Sequence, residues 1–351
     1  LDPKTPTFPM ADAKRIVTDL FKPSGLLYWT DLLANATLGW GAFAAAYFAE
    51  DLSLQQVLAL SVTVFCLYRA VIFIHELTHL EKGTFNGFRV VWNILCGIPF
   101  LVPSFTYMGV HIDHHKQKMY GTKDDGEYLP FVLLGRHRIV LFFVVMLAVP
   151  AVFALRFLLT PLSYLLPPLR RLLWEYLSSL SIDPEWKRPP ATERDGKWWR
   201  LQEMLAFLYV AGMALLFLQG ILPLRLLVLW YLTAVLILEF NGLRTIGATH
   251  CYRNPSDHAL EFSEQFLDSV TVPGNPVTTT LWAPVGLRYH AVHHLFPGMP
   301  YHNLGEAHRR LMKQLPDNSV YRLTLRKSLL DGFSNLWKET KAAQKTQKTQ
   351  G

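Results

Sequence analysis

The sequence predicts an all-α fold: a polytopic membrane helical bundle with about four transmembrane helices, joined by re-entrant or interfacial helices and carrying a histidine-rich cap on the cytoplasmic side. Three observations predict it. Hydrophobic residues make up 51% of the 351 positions, and they fall in long runs almost free of charge. Short polar stretches interrupt those runs. The histidines gather at the ends of the runs rather than inside them. The first two place the chain among polytopic membrane proteins rather than soluble enzymes. The balance of 34 basic against 27 acidic residues, net +7, suits an anionic lipid surface and gives no sign of nucleic acid.

The elements follow in order. Residues 1–25 are polar and carry Lys4, Lys14, Arg15 and Lys22, which read as a cytoplasmic arm under the positive-inside rule. They contain no apolar h-region, so no cleavable signal peptide is expected. A first span covers 26–49, with Asp31 near its entry. A second runs from Leu52 to Ile74 and continues as helix through His75-Glu76-Leu77-Thr78-His79. Each has the roughly 20 apolar residues that a crossing needs. Arg69, less than two turns before His75, is either functional at that depth or snorkels to the interface. Residues 84–110 are apolar but broken by Gly97, Pro99 and Pro103, and read as a shallow re-entrant segment. Residues 138–159 are apolar, and 160–200 are rich in Arg and Lys. Residues 201–222 and 225–246 form an out-and-back pair around Leu222-Pro223-Leu224. If every histidine cluster faces one side, parity excludes 138–159 as a single complete crossing. The organisation expected is an arm at 1–25, a membrane domain at 26–325, and a polar tail at 326–351, disordered toward its end.

Eight of the thirteen histidines fall in three clusters. His75 and His79 sit at i, i+4. His111, His114 and His115 sit at i, i+3, i+4, and His290, His293 and His294 repeat that spacing. On a helix each set leaves from one face. A lone histidine is usually a satisfied core or surface residue, but three such sets are hard to produce by chance. Neutral imidazole is a common ligand for borderline metals. Eight exceed the roughly four ligands of one tetrahedral ion, so the count argues for two metals. His137, His258, His302 and His308 follow no such spacing. Cys66, Cys96 and Cys251 give no disulfide framework and no thiolate site.

The pattern HxxxH, HxxHH about 30 residues on, and HxxHH far downstream resembles the signature of the membrane fatty acid desaturases and the related hydroxylases and ketolases. GIPFLVPSFTYMGVHIDHH is similar to the segment entering that family's second box, and YHAVHHLFPGMPYHNL to its third box and the turn after it. The resemblance covers roughly residues 60–310. It implies nine ligands, His75, His79, His111, His114, His115, His250, His290, His293 and His294, with His250 at the end of the helix before the third box. Some relatives carry an Asn one turn before that histidine, where this chain has Ile246. The resemblance also implies two iron ions and dioxygen as co-substrate. A fatty acyl lipid would be the substrate. A bacterial inner membrane with the site on its cytoplasmic side is implied as well. No fused cytochrome b-type domain with a His-Pro-Gly-Gly motif is found, so a separate ferredoxin or cytochrome b-type donor with its reductase is expected.

Acidic and amide groups near the boxes are candidates to hold ligand N–H groups. They are Glu76, Asp124, Asp125, Glu127 and Asn303. The Gly121–Tyr128 stretch reads equally as a solvated turn. Asp113 points off the histidine face.

Breaking an unactivated C–H bond needs an oxidant that side chains cannot supply. Desaturation of an acyl chain is the expected outcome, on resemblance alone. Hydroxylation or ketolation of a lipid is the alternative, because the residues do not distinguish loss of a second hydrogen from oxygen insertion. A remote alternative is an intramembrane zinc metalloprotease, since His75-Glu76-x-x-His79 is a literal HExxH and Leu330-Asp331-Gly332 lies downstream. That reading leaves both HxxHH clusters unexplained. A metal transporter would place its ligands at the bilayer midplane, and here they lie at span ends.

Overall fold

The computed structural model describes residues 8–81 and 83–350. The described residues are helical, with two isolated backbone bridges and no strand. The all-α expectation therefore holds. The first seven residues of the arm, Lys4 among them, and Gly351 lie outside the described residues.

Four helices are long and apolar enough to cross a membrane: Leu54–His79, Arg136–Leu158, Asp195–Leu218 and Leu224–Ala248. They show large apolar side chains outward, among them Val144, Leu147, Leu155, Leu205, Leu208, Leu215 and Val228. A surface so apolar fits a membrane protein. Helix Gly25–Phe48, the first span expected from the sequence, matches them in length with 24 residues but is not in that set. Helix Arg136–Leu158, which parity excluded as one complete crossing, is inside it by length and composition.

The chain forms two compact units: Leu1–Leu27, Ile112–Phe143 and Asn241–Gly351 in one, Tyr28–His111 and Val144–Phe240 in the other. In the second unit, helix Phe88–Trp92 runs into a wide turn at Asn93–Gly97. The segment then folds back, because Asn93 accepts from the Ser104 amide at 2.8 Å and donates to the Ser104 hydroxyl at 3.1 Å. Gly97 makes the return possible: a Cβ there would lie 2.8 Å from Trp92 and 3.1 Å from the Pro103 backbone. With ten apolar helical residues, Phe88–Gly97 is too short to cross. The Asp31 carboxylate near the start of helix Gly25–Phe48 takes a two-pronged bond from Arg69, at 2.6 and 2.5 Å. Arg69 is thus held inside its own unit. A core of Leu101, Phe105, Phe153, Phe157, Ala206 and Val210 packs beside the buried ion pair of Arg156 with Glu203.

The first unit holds the amino-terminal arm. Ala13, Val17 and Leu20 follow helical spacing and bury against Phe266, Val292, Leu304 and Leu311. Arg310 clasps Asp19 at 2.6 and 3.0 Å. The arm is therefore a packed element, which its overall polarity hid. The tail is helical from Leu329 to Gln350. Its Ala, Lys and Gln are good helix formers. Arg253 pairs with Glu339 at 2.7 Å, and Arg136 lies over the Trp337 ring.

Candidate metal centre

The first unit gathers four imidazoles. His114 ends helix Val110–His114, and His290 and His294 leave one face of helix His290–Leu295. His250 follows helix Leu224–Ala248. One ring nitrogen from each of these four lies within 4.8 Å of the others. The Nε2 atom of His290 is 3.2 Å from that of His250 and 3.0 Å from that of His294. His115 and His293 meet beside them, Nε2 to Nε2, at 3.0 Å.

Backbone pairing brings these pieces together. His250 bridges Ser269, the Cys251 amide donates to the Asp268 carbonyl at 2.7 Å, and the Ala291 amide donates to the Val270 carbonyl at 3.2 Å. Tyr252 takes a left-handed conformation (φ 57°) to turn the chain just after His250. Its hydroxyl donates to the Thr245 carbonyl at 2.9 Å, which anchors that costly turn.

Two carboxylates set which nitrogens face inward. Asp125 is fully buried and accepts from His114 Nδ1 at 2.8 and 3.0 Å. It also accepts the Gly121 and Glu127 amides, so the carboxylate is fixed before it meets the histidine. Burial works against a charged His114, yet the charge and hydrogen bond of Asp125 outweigh it and raise its pKa. On the other side, the Tyr120 hydroxyl donates to Asp268 at 3.2 Å, so it accepts from His250 Nδ1 at 2.7 Å. Burial pushes Asp268 up to about 6, against the lowering effect of the Tyr120 and Tyr128 hydroxyls. Burial and neighbouring imidazoles hold His250 and His290 neutral, well below the usual histidine value.

With Nδ1–H committed outward, His114 and His250 turn Nε2 lone pairs into the cluster. His290 Nδ1 is buried with no hydrogen-bond partner among the described residues. Ligand nitrogens about 2 Å from one ion sit about 3 Å from each other. The donor set therefore fits a metal, and its all-nitrogen character suits iron, zinc or copper far better than magnesium or calcium.

The second unit holds His75, His79 and His111. His79 and His111 bring their Nε2 atoms to 2.8 Å, and the His75 ring lies 4.5 Å from the His111 ring. The Tyr107 hydroxyl meets His111 Nδ1 at 3.0 Å. Glu76 is buried, lies 3.5 Å from His75 Nδ1 and accepts the Tyr28 hydroxyl. The HExxH reading finds no help downstream. Asp331 caps its own helix by accepting the Lys327 amide at 3.0 Å.

Of the acidic and amide candidates, Asp125 holds a box histidine directly and Glu76 lies beside one. Asp124 is exposed. The charge of Glu127 adds to that of Asp125 in raising the His114 pKa. Asn303 holds the arm, donating to the Leu20 carbonyl at 2.7 Å, and meets His302 at 2.9 Å. Asp113 pairs with Lys116 at 2.6 Å. Asn241 accepts from Arg244. Sequence reasoning missed Tyr107, Tyr120 and Asp268. Tyr107 carried a signal, lying four residues before His111 in the same helical register.

Residues 52–325 match the fatty acid desaturase family. The chain belongs to that family. Within it, the chain is similar to a ceramide hydroxylase of Caulobacter vibrioides (strain NA1000 / CB15N), at 38% identity over 337 residues, covering 94% of this chain and 93% of that protein. An oxidoreductase acting in lipid metabolism is the activity class that this membership gives. The family match also removes the metalloprotease alternative.

Proposed function

We propose that this desaturase-family chain is a lipid hydroxylase acting on a ceramide-class lipid. The observation that carries the reading is near full-length similarity to a ceramide hydroxylase, which favours oxygen insertion over the double-bond formation first expected. The balance is simple. One atom of dioxygen enters a C–H bond of the lipid and the other leaves as water. Two electrons come from a separate donor, with two protons from solvent.

Two irons fit this chemistry. His114, His250, His290 and His294 would hold one, and His75, His79 and His111 would contribute to the other, with His115 and His293 completing nine ligands. When bound, the irons supply the dioxygen activation that no side chain provides. The chain's own part is to hold the imidazoles. Asp125 keeps the His114 proton on Nδ1, and Tyr120 with Asp268 does the same for His250. Burial of His75, His111, His114, His250, His290 and His293 keeps bulk water from most of the set. The site would face the cytoplasm, where a soluble donor can reach it.

The test supplies heavy-oxygen-labelled dioxygen to membranes containing the protein, a reducing system and ceramide, followed by lipid mass spectrometry. One labelled oxygen in the product, lost in His290→Ala, supports the reading. The family description itself favours a second outcome, loss of two hydrogens without label. That product would restore desaturation.

A further inference from the structure

The segment between helices Arg136–Leu158 and Glu193–Leu218 folds as two short helices, Thr160–Leu165 and Pro167–Leu177. With the start of helix Glu193–Leu218 they enclose an open cleft of about 530 Å³. Tyr164, Arg170, Arg171, Trp174, Trp199 and Arg200 line it. Nothing in the metal chemistry uses it.

Its floor is a buried charge cluster. Glu203 is fully buried and accepts from Arg156, from both terminal nitrogens of Arg170 at 2.9 Å, and from the Tyr164 hydroxyl at 3.0 Å. Two guanidiniums on one carboxylate leave a positive charge in excess where the dielectric is low. Above the floor, Arg171 uses Nε on Glu175 at 2.8 Å, and Arg200 uses Nε on the Gly196 carbonyl at 3.1 Å. Their terminal nitrogens meet no acceptor among the described residues. Glu193 at the rim is the remaining acid of the lining, so three lining arginines face two lining carboxylates.

The walls are aromatic. Trp174 and Trp199 stack at 5.9 Å, and Arg188 lies 4.9 and 4.8 Å over them. Indole beside guanidinium is the combination of a membrane–water boundary. The flanking helices expose Leu162, Leu165, Leu166, Leu201 and Leu205. A ligand matching all three features carries a compact anion and apolar chains. Arginine forks match both carboxylate and phosphate oxygens, and of the two a phosphate is the anion that a membrane lipid carries next to its acyl chains.

We propose that this cleft binds the phosphodiester headgroup of an anionic membrane phospholipid. The terminal nitrogens of Arg171 and Arg200 donate to its phosphate oxygens, and its acyl chains lie along the exposed leucines. Arg188 carries the effect inward. It donates to the Phe105 carbonyl at 2.6 Å and the Met108 carbonyl at 2.9 Å, on either side of the Tyr107 that holds His111. An occupied cleft steadies that segment.

The test uses the full chain in detergent, titrated with phosphatidylglycerol, phosphatidylcholine or glycerol 3-phosphate, and followed by thermal unfolding and native mass spectrometry. Phosphatidylglycerol alone should raise the unfolding midpoint and survive as an adduct. R171A/R200A should weaken that retention roughly fivefold per arginine removed, with iron content unchanged. If the double variant fails to fold, R200Q should show the single-arginine loss and Glu193→Lys the opposite change. Equal binding of phosphatidylcholine, or wild-type retention in R171A/R200A and R200Q, would overturn the proposal. A matching shift with glycerol 3-phosphate would overturn the lipid source and make the ligand a soluble phosphate.

Discussion

The two compact units hold their histidines by different means. In the unit with His114 and His250, buried carboxylates stand behind the rings: Asp125 directly, Asp268 through the Tyr120 hydroxyl. In the unit with His75, His79 and His111, the His111 ring meets a neutral hydroxyl from Tyr107, and Glu76 stands 3.5 Å off His75. A carboxylate accepts only, so it dictates the tautomer. A hydroxyl donates or accepts, so it orients the ring without choosing its proton. The difference teaches that Asp125 and the Tyr120–Asp268 pair fix the Nδ1 proton of His114 and His250, whereas the Tyr107 hydroxyl orients the His111 ring without choosing its proton.

The largest effects should fall on the rings themselves. His114→Ala and His111→Ala should each abolish turnover, and plasma mass spectrometry should show about one iron fewer per chain in both. Retention of two irons in either variant would break the assignment of a separate iron to each set.

Glu203→Leu tests a part of the second unit away from the histidines. It strands two guanidiniums and should destabilise the fold by about 3–5 kcal/mol in denaturant unfolding, because an uncompensated buried charge is costly. The iron content of the folded fraction should not change.

Sharper discrimination comes from the supports. Asp125→Asn should lower metal affinity about 10- to 100-fold. Asp268→Asn should cost less, since Tyr120 remains. Tyr107→Phe should cost least of the three. Equal losses in Asp125→Asn and Tyr107→Phe, measured by chelator competition, would erase the contrast between carboxylate and hydroxyl.

The smallest effect concerns pH. Burial lowers His308 to about 4, and its Nδ1 meets the Tyr321 hydroxyl at 2.6 Å. Its folded value lies below its unfolded value near 6.5, so the unfolded chain binds the proton first. Stability is therefore full above that value and falls as pH drops from 6.5 toward 4. His308→Phe should flatten this acid limb in melts across that window. An unchanged slope would assign the limb to other groups.

Sequence alone determined what depends on near neighbours. Box spacing put the ring nitrogens on common helix faces, uncharged runs marked the long helices, and Gly97 with Pro99 and Pro103 marked the turn back. Asp125 was legible because it lies eleven residues from His114 in a turn-forming string. Tertiary structure decided the rest. Tyr120 and Asp268 are 148 residues apart, and no local pattern couples them. The arm looked solvated because its few apolar residues matter only once helix Tyr301–Gln314 is beside them. Helix Arg136–Leu158 was judged by a counting rule, while its Arg156 is settled by Glu203, far along the chain. Periodicity is written in adjacent residues; a hydrogen bond or ion pair between distant segments exists only after the chain has closed its loops.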